Sequence, residues 1–377
     1  MVKIPIAKPD LGEGEKQLVA QVIDSGWVSQ GPKVAEFEEI FARYVGTRFA
    51  VATTSCTTAL HAALKVGGVG PGDEVILPSL SFIATANSVL YCGAVPVFVD
   101  IDPETCNIDV KKIQGAITAS TKAIMPVHQM GLPADLEPVK SIAQKNNLFI
   151  VEDAACAIGS QYRGATIGGH GNIACFSFHP RKVITTGEGG MITTNDEMFA
   201  DRLKRFRHHG MSVSDIERHS ANTIIIETYP ELGYNYRMTD VQAAIGIGQM
   251  EKLSDILYER KKIALHYDKT LREIPHIRIP IVPSYARHNY QSYWIEVLDS
   301  APVSRNDLMA LLLERGIATR RGIMAIHREP CYGEYAAAHL PNTDRITDKT
   351  ILLPLYPRLS DEEQSYIIKS LKDILVQ

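Results

Sequence analysis

From residue 49 to residue 151, runs of four or five apolar residues alternate with stretches of helical apolar spacing. Strands are predicted at 49–52, 74–77, 95–99, 123–127 and 148–151. Helices are predicted from about residue 59, where Leu60, Ala63 and Leu64 share a face, and at 84–91, 110–116 and 136–146. A strand followed by a helix, repeated in this way, predicts right-handed crossovers and a largely parallel sheet covered on both faces, an α/β fold. Ligands of such sheets gather at the carboxyl ends of the strands. The polar clusters fall there: Ser-Cys-Thr-Thr at 55–58, the loop from Ser79 to Phe82, His128, Glu152 with Asp153, and a loop that carries Lys182.

A helical pattern from residue 13 and a second at 33–44 flank the loop Gly-Trp-Val-Ser-Gln-Gly-Pro at 26–32. Residues 211–231 are polar apart from Ile224, Ile225 and Ile226, and read as a long excursion. A long helix from 240 to about 271 carries Ala243, Ala244, Ile247, Met250 and Leu253 at helical spacing and links two domains. After it the rhythm changes to a strand at 290–297, a helix at 305–315, a short strand at 318–320 and a last helix at 361–375, a small α+β unit. The expected division is a large domain, 1–250, and a small C-terminal domain, 251–377.

A chain of 377 residues is long enough for two cores, and its balanced charge of −4 offers no basic field for nucleic acid or anionic lipid. The six cysteines, Cys56, Cys92, Cys106, Cys156, Cys175 and Cys331, are far apart and unpaired in spacing, which argues against a zinc site or a disulfide framework. No segment has the length of a membrane span and the N-terminus lacks the apolar core of a signal peptide, so a soluble, cytoplasmic protein with small-molecule or protein partners is expected.

The chemistry centres on Lys182. Phe176 and Phe178 alternate with polar residues, Pro180 stops regular pairing, and Gly187, Gly189 and Gly190 allow a tight path into Met191 and Ile192. A lysine anchored there, desolvated beside cations such as Arg181, is expected to have a lowered pKa and a free amine able to form a Schiff base. The hydroxyl-rich loop at 53–58 places backbone amides at a helix start, where an anion is favoured, although Ser and Thr there are also ordinary caps. Asp153 ends an apolar strand, either as the cap of a helix starting near Ala154 or as a functional carboxylate. A phosphate cup, a strand-end aspartate and a lysine are together what pyridoxal 5′-phosphate needs, with Phe82 free to stack on its ring.

The strings GWVSQGPKVAEFE, GPGDEVILPSLSFIATANSV, GAVPVFVDIDPETCNID, KAIMPVH, VEDAACAIGS, CFSFHPRKVITTGEGGMITTND, LGYNYRMTDVQAAIG and IATRRGIMAIHREPCY span nearly the whole chain. In them the chain resembles the DegT/StrS type of sugar aminotransferase, fold type I pyridoxal phosphate enzymes that aminate nucleotide-linked keto sugars. The resemblance implies a mostly parallel seven-stranded sheet in the large domain. It implies Lys182 as the lysine joined to the cofactor and as the proton carrier, with Asp153 as partner of the ring nitrogen. Phe82 becomes the stacking residue, and Ser177 with the turn at Cys56 and Thr57 holds the phosphate. Asn235 would reach the phosphate of the neighbouring subunit's cofactor, which implies an obligate homodimer with shared active sites. Trp27, Arg321 and His327 are candidate walls for the sugar or its diphosphate. The implied activity moves an amino group from glutamate to the keto sugar, in amino-sugar or surface-polysaccharide (lipopolysaccharide) synthesis.

Two positions depart from the family's pattern: Cys56 stands where glycine is usual, and Cys156 where glutamine, glutamate or histidine is usual. A sugar dehydratase or deoxygenase of the same fold is an alternative, but that branch replaces the reactive lysine by histidine and this chain keeps Lys182. A non-catalytic regulatory relative is a second alternative, against which the lysine, aspartate and phosphate turn count.

Overall fold

The computed structural model describes residues 3–213, 218, 222–335 and 339–376. Its first strands are β1 (Phe49–Thr53), β2 (Glu74–Pro78), β3 (Val95–Val99), β4 (Thr121–Ile124) and β5 (Phe149–Asp153). A short hairpin, β6 (Gln161–Tyr162) and β7 (Ala165–Thr166), precedes β8 (Ile173–Ser177) and β9 (Gly190–Thr194). The helices of this half are α1 (Glu13–Ser25), α2 (Pro32–Val45), α3 (Cys56–Val66), α4 (Ala84–Tyr91), α5 (Val110–Ala116), α6 (Leu136–Asn146) and α7 (Glu197–Phe206).

Seven strands form one sheet in the order β1-β9-β8-β5-β4-β2-β3. Every neighbouring pair is parallel except those of β9, which runs antiparallel to both β1 and β8. The exception has a local cause. The link between β8 and β9 contains Pro180, Gly187 and Gly189 and forms no crossover helix, so the chain can only turn back beside the strand it left. Val51, Leu77, Ala123, Val151 and Ile192 are fully buried on one face with Leu60 and Leu64 of α3. On the other, Phe41 of α2 packs edge-on against Phe176 and Phe178, and Phe37 meets Phe178 at a tilt.

Helix α8 (Asp240–Leu271) starts at a capping box in which Thr239 accepts from the Gln242 amide. Its first turns bury Ala243 and Ile247 against the large sheet's helices, and its last turns bury Ile263, Ala264 and Tyr267 in a second core. That core covers the sheet β10-β12-β14-β13, antiparallel throughout: β10 (Ile277–Arg278), β12 (Tyr293–Val297), β13 (Arg320–Arg321) and β14 (Thr350–Leu353). Strand β11 (Ala286–Arg287) pairs instead with β6. Helices α9 (Arg305–Glu314), α10 (Pro341–Lys349) and α11 (Asp361–Leu375) complete this half. Leu80, Ile101, Met130, Trp294 and Ile346 pack together where the two halves meet.

Several predicted boundaries shift. Helix α3 begins at Cys56, not near residue 59, because Ser55 caps it: its hydroxyl accepts the Thr58 amide while Thr58 Oγ1 accepts the Ser55 amide. No helix follows Asp153; residues 154–159 are turns, so the capping role is ruled out. Strand β4 ends at Ile124, two residues before Pro126, whose ring nitrogen has no proton to give a ladder. Strand β12 starts at Tyr293, three residues later than predicted. Of the polar excursion, residues 214–217 and 219–221 lie outside the described residues; residues 222–231 form neither helix nor strand, with Ser212 and Thr228 hydrogen-bonded across its base. No described helix is long and apolar enough to cross a membrane.

Candidate active site

The sheet register assembles the site. Asp153, the last residue of β5, pairs with Cys175 of β8; Ser177, two residues on, pairs with Gly190; and Gly190 pairs in turn with Thr53 at the end of β1. The start of α3 is thereby set beside Ser177. The approach is close: a Cβ on Gly190 would lie 2.4 Å from Ser55 O and 2.7 Å from the Cys56 nitrogen. The first amides of α3 have no partner within the helix, which leaves an N-terminal cradle suited to an anion. The Cys56 side chain turns away into the interior, where Sγ lies 3.6 Å from Cys175 O and burial pushes its thiol pKa well up. Glycine is therefore not needed at this position for the cradle to form.

Asp153 is buried and held at both oxygens. Thr85 Oγ1 donates to Oδ2 at 2.7 Å and the Ala155 amide donates to Oδ1 at 3.1 Å, while Thr85 is itself fixed by Ser81 Oγ at 2.7 Å. Behind it lies a buried pair. The Ala134 amide donates to His128 Nδ1 at 3.0 Å, so the ring proton sits on Nε2 and points at Glu152 Oε2, 2.9 Å away. Burial alone would raise the Glu152 carboxyl, but the bonds from His128 and Asn172 hold it below the ordinary value. Thr85 supports the Asp153 carboxylate from a distant part of the chain, with nothing in its local sequence to mark it for this, while the backbone amide of His128, a strand-end residue flagged by the sequence, donates to Asp153 O at 3.0 Å.

Lys182 lies in the loop between β8 and β9, and its Nζ donates to Cys156 Sγ at 3.1 Å. Its pKa contradicts the expectation. Burial pulls it down, but the Cys156 sulfur, with Cys56 and Asp153 behind it, outweighs burial and holds the ammonium above its ordinary value. Arg181 points outward to solvent and plays no part.

The remaining predicted residues fall in three places. Phe82 is 59 % exposed, with its carbonyl accepting the amide of Thr85, the residue that holds Asp153. Asn235 is exposed on a segment whose backbone bridges to His208, with Tyr236 O accepting the Thr54 amide beside the cradle. His327 is held on the loop after β2, with Nδ1 2.7 Å from Ser79 Oγ and Nε2 3.4 Å from Asp344. Burial lowers its pKa, against the opposing pull of Asp344. Trp27 is folded back on its own loop, Nε1 donating to Gln30 O at 3.0 Å, and the exposed Arg321 stands 3.7 Å from Glu329. The structure thus brings Lys182, Asp153, Ser177 and the turn at Cys56 and Thr57 together at the carboxyl ends of β1, β5 and β8.

The donor set fits pyridoxal 5′-phosphate: amides at a helix start and the Ser177 hydroxyl for the phosphate, a buried, fully hydrogen-bonded carboxylate for the pyridine nitrogen, and an amine for the aldehyde.

Fold and site together define an aminotransferase of fold type I. Residues 9–372 match the DegT/DnrJ/EryC1/StrS aminotransferase family, and the chain belongs to it. It is 40 % identical to the spore coat polysaccharide biosynthesis protein SpsC of Bacillus subtilis, over 99 % of this chain and 97 % of that one. It is 39 % identical to the GDP-perosamine synthase of Caulobacter vibrioides, over 99 % of each. Among solved structures, Spr1654 of Streptococcus pneumoniae in its PMP form superposes with a TM-score of 0.93 at 29 % identity, covering 99 % of both chains. A PLP form of the same protein superposes with a TM-score of 0.92, covering 98 % of both.

Proposed function

We propose that this enzyme is a pyridoxal phosphate-dependent aminotransferase that converts a nucleotide-linked keto sugar to an amino sugar, with glutamate as the amino donor. The observation that carries the reading is the convergence of Lys182, the doubly held Asp153, Ser177 and the α3 cradle at the carboxyl ends of β1, β5 and β8. When bound, the cofactor supplies an aldehyde that takes up the amino group and a ring that accepts electrons from the donor's α-carbon. Lys182 anchors it and, once displaced by the donor, carries the proton away from that carbon. Asp153, buried and held at both oxygens, keeps the ring nitrogen's proton in place. Cys56, Thr57 and Ser177 grip the phosphate, and Phe82 covers the ring face.

The relatives named for spore coat polysaccharide biosynthesis and for GDP-perosamine synthesis support the sugar substrate and a place in polysaccharide assembly, to which we assign lipopolysaccharide as the product polymer. We assign the chain to the cytoplasm, where nucleotide sugars are available. The exposed Tyr91, Tyr229 and Leu232 in the sequence and fold neighbourhood of Asn235 support a homodimer in which Asn235 completes the partner's phosphate site. Within the chain, residues 1–250 form the cofactor-binding unit and 251–377 the C-terminal unit, which carries His327 to the cleft; Trp27, Arg321 and His327 face the nucleotide sugar. A panel of uridine, guanosine and thymidine diphosphate keto sugars, assayed with glutamate, tests the reading. Formation of an amino sugar from at least one supports it, and turnover of none, with cofactor fully bound, overturns it.

A further inference from the structure

The roles above give no task to the sulfur that touches Lys182. Cys156 is half-buried, whereas Cys56, Cys92, Cys106 and Cys175 are buried. Its backbone is gripped from the C-terminal half of the chain. Asn289 Nδ2 donates to both Cys156 O and Ile158 O at 2.8 Å, and Asn289 Oδ1 accepts the Gln291 amide at 2.9 Å. Asn289 reaches this position because residue 131 is glycine: a Cβ there would stand 1.8 Å from Asn289 Oδ1.

The same segment holds the other side of the pair. Gln291 Nε2 donates at 3.0 Å to Arg181 O, the carbonyl immediately before Lys182. The segment is in turn fixed by Arg260 of α8, whose Nε and Nη2 donate to Tyr290 O at 3.0 Å and Gln291 O at 2.5 Å. Arg260 is buried, and its partners here are neutral carbonyls. A buried cation spent on two carbonyls secures the path of residues 290 and 291.

We propose that Cys156 is a positioning residue for Lys182, and that Asn289 and Gln291 form a clip that fixes the sulfur against the amine. The proposal rests on the reading of Lys182 as the cofactor's anchor. A free lysine side chain samples many rotamers; a sulfur acceptor at 3.1 Å selects those that keep Nζ in the cleft. The groups acting on Nζ are Cys156, Cys56 and Asp153, all from neighbouring elements. Cys156 is the largest of the influences that favour the charged amine, so its loss lets burial favour the free amine.

The test uses o-phthalaldehyde, which joins an adjacent amine and thiol into a fluorescent isoindole. Both aldehyde carbons bond to the lysine nitrogen, one takes the sulfur, and two waters leave. Full-length protein stripped of cofactor should give an isoindole that peptide mapping places between Lys182 and Cys156. It should be absent in Cys156→Ala and Lys182→Ala and severalfold weaker in Asn289→Ala and Gln291→Ala. Gln291 is only half-buried, so its variant separates loss of the clip from loss of folding. In Cys156→Ala the pH midpoint for capture of pyridoxal phosphate should also move down, each unit corresponding to about tenfold more free amine below it. No isoindole at this pair in the native protein, or yields in both clip variants equal to that of the native protein, overturns the proposal. The isoindole needs no cofactor, so a native protein that forms it yet never captures pyridoxal phosphate contradicts the proposed function and not the clip.

Discussion

Thr85 Oγ1 donates to Asp153 Oδ2 at 2.7 Å, linking the first turn of α4 to the end of β5 across 68 positions of sequence. A hydrogen bond to a charged group contributes about 1.5–3 kcal/mol, so Thr85→Val, which keeps the shape and removes the hydroxyl, should lower kcat roughly ten- to hundredfold. Folding should be little changed. Steady-state kinetics with glutamate and the accepted keto sugar check this, and an unchanged kcat would mean that Asp153 is oriented without Thr85.

Gly190 faces the backbone of the cradle, and neither Ser55 O nor the Cys56 nitrogen can yield without moving α3. Gly190→Ala should therefore weaken pyridoxal phosphate binding by at least tenfold and lower Tm, read by cofactor titration and thermal unfolding. Unaltered affinity would remove the α3 turn from the phosphate site.

Much of this arrangement was legible in the sequence, because strand-end positions follow directly from the alternation of apolar runs and helices. Asp153 and the Lys182 loop were found that way, Ser177 came only from the family resemblance, and α8 was read at its full length from its apolar spacing. What escaped is long-range. The antiparallel course of β9, the Thr85 support of Asp153 and the grip of Asn289 on Cys156 depend on contacts between residues far apart in the chain, and hydroxyl or amide side chains carry no periodic signal of such duties. The depressed pKa expected of Lys182 failed for the same reason: its deciding neighbour is Cys156, 26 residues away, and not the adjacent Arg181.

Two buried histidines tie stability to pH. Burial brings His61 from 6.5 to about 4 and His288 to about 3, so both are neutral in the folded chain at pH 7. Unfolded histidines take up a proton below about 6.5. Stability is therefore fully present above that value and is lost as pH falls toward 4, by about 3 kcal/mol for His61 alone. His61 sits among Tyr91, Phe206, Tyr234 and Tyr236, so His61→Phe keeps an aromatic packing partner there. Denaturant titrations between pH 7 and 4 should show a shallower loss in this variant; an equal loss would place the acid sensitivity elsewhere.

If Asn235 completes the partner's site, Lys182→Ala and Asn235→Ala protomers are defective in different parts of one shared centre. Mixed after mild dissociation, the two inactive variants should regain activity that neither has alone. Continued inactivity of a verified mixed dimer would confine each site to one chain.

The central claim, that Lys182 is the residue to which the cofactor is joined, is tested most directly by borohydride reduction of the protein with pyridoxal phosphate, followed by peptide mapping. The account predicts a single stable adduct on Lys182, lost in Lys182→Ala and diminished when glutamate is added before reduction. An adduct on another lysine, or none on Lys182 in protein that retains its fold, would contradict it.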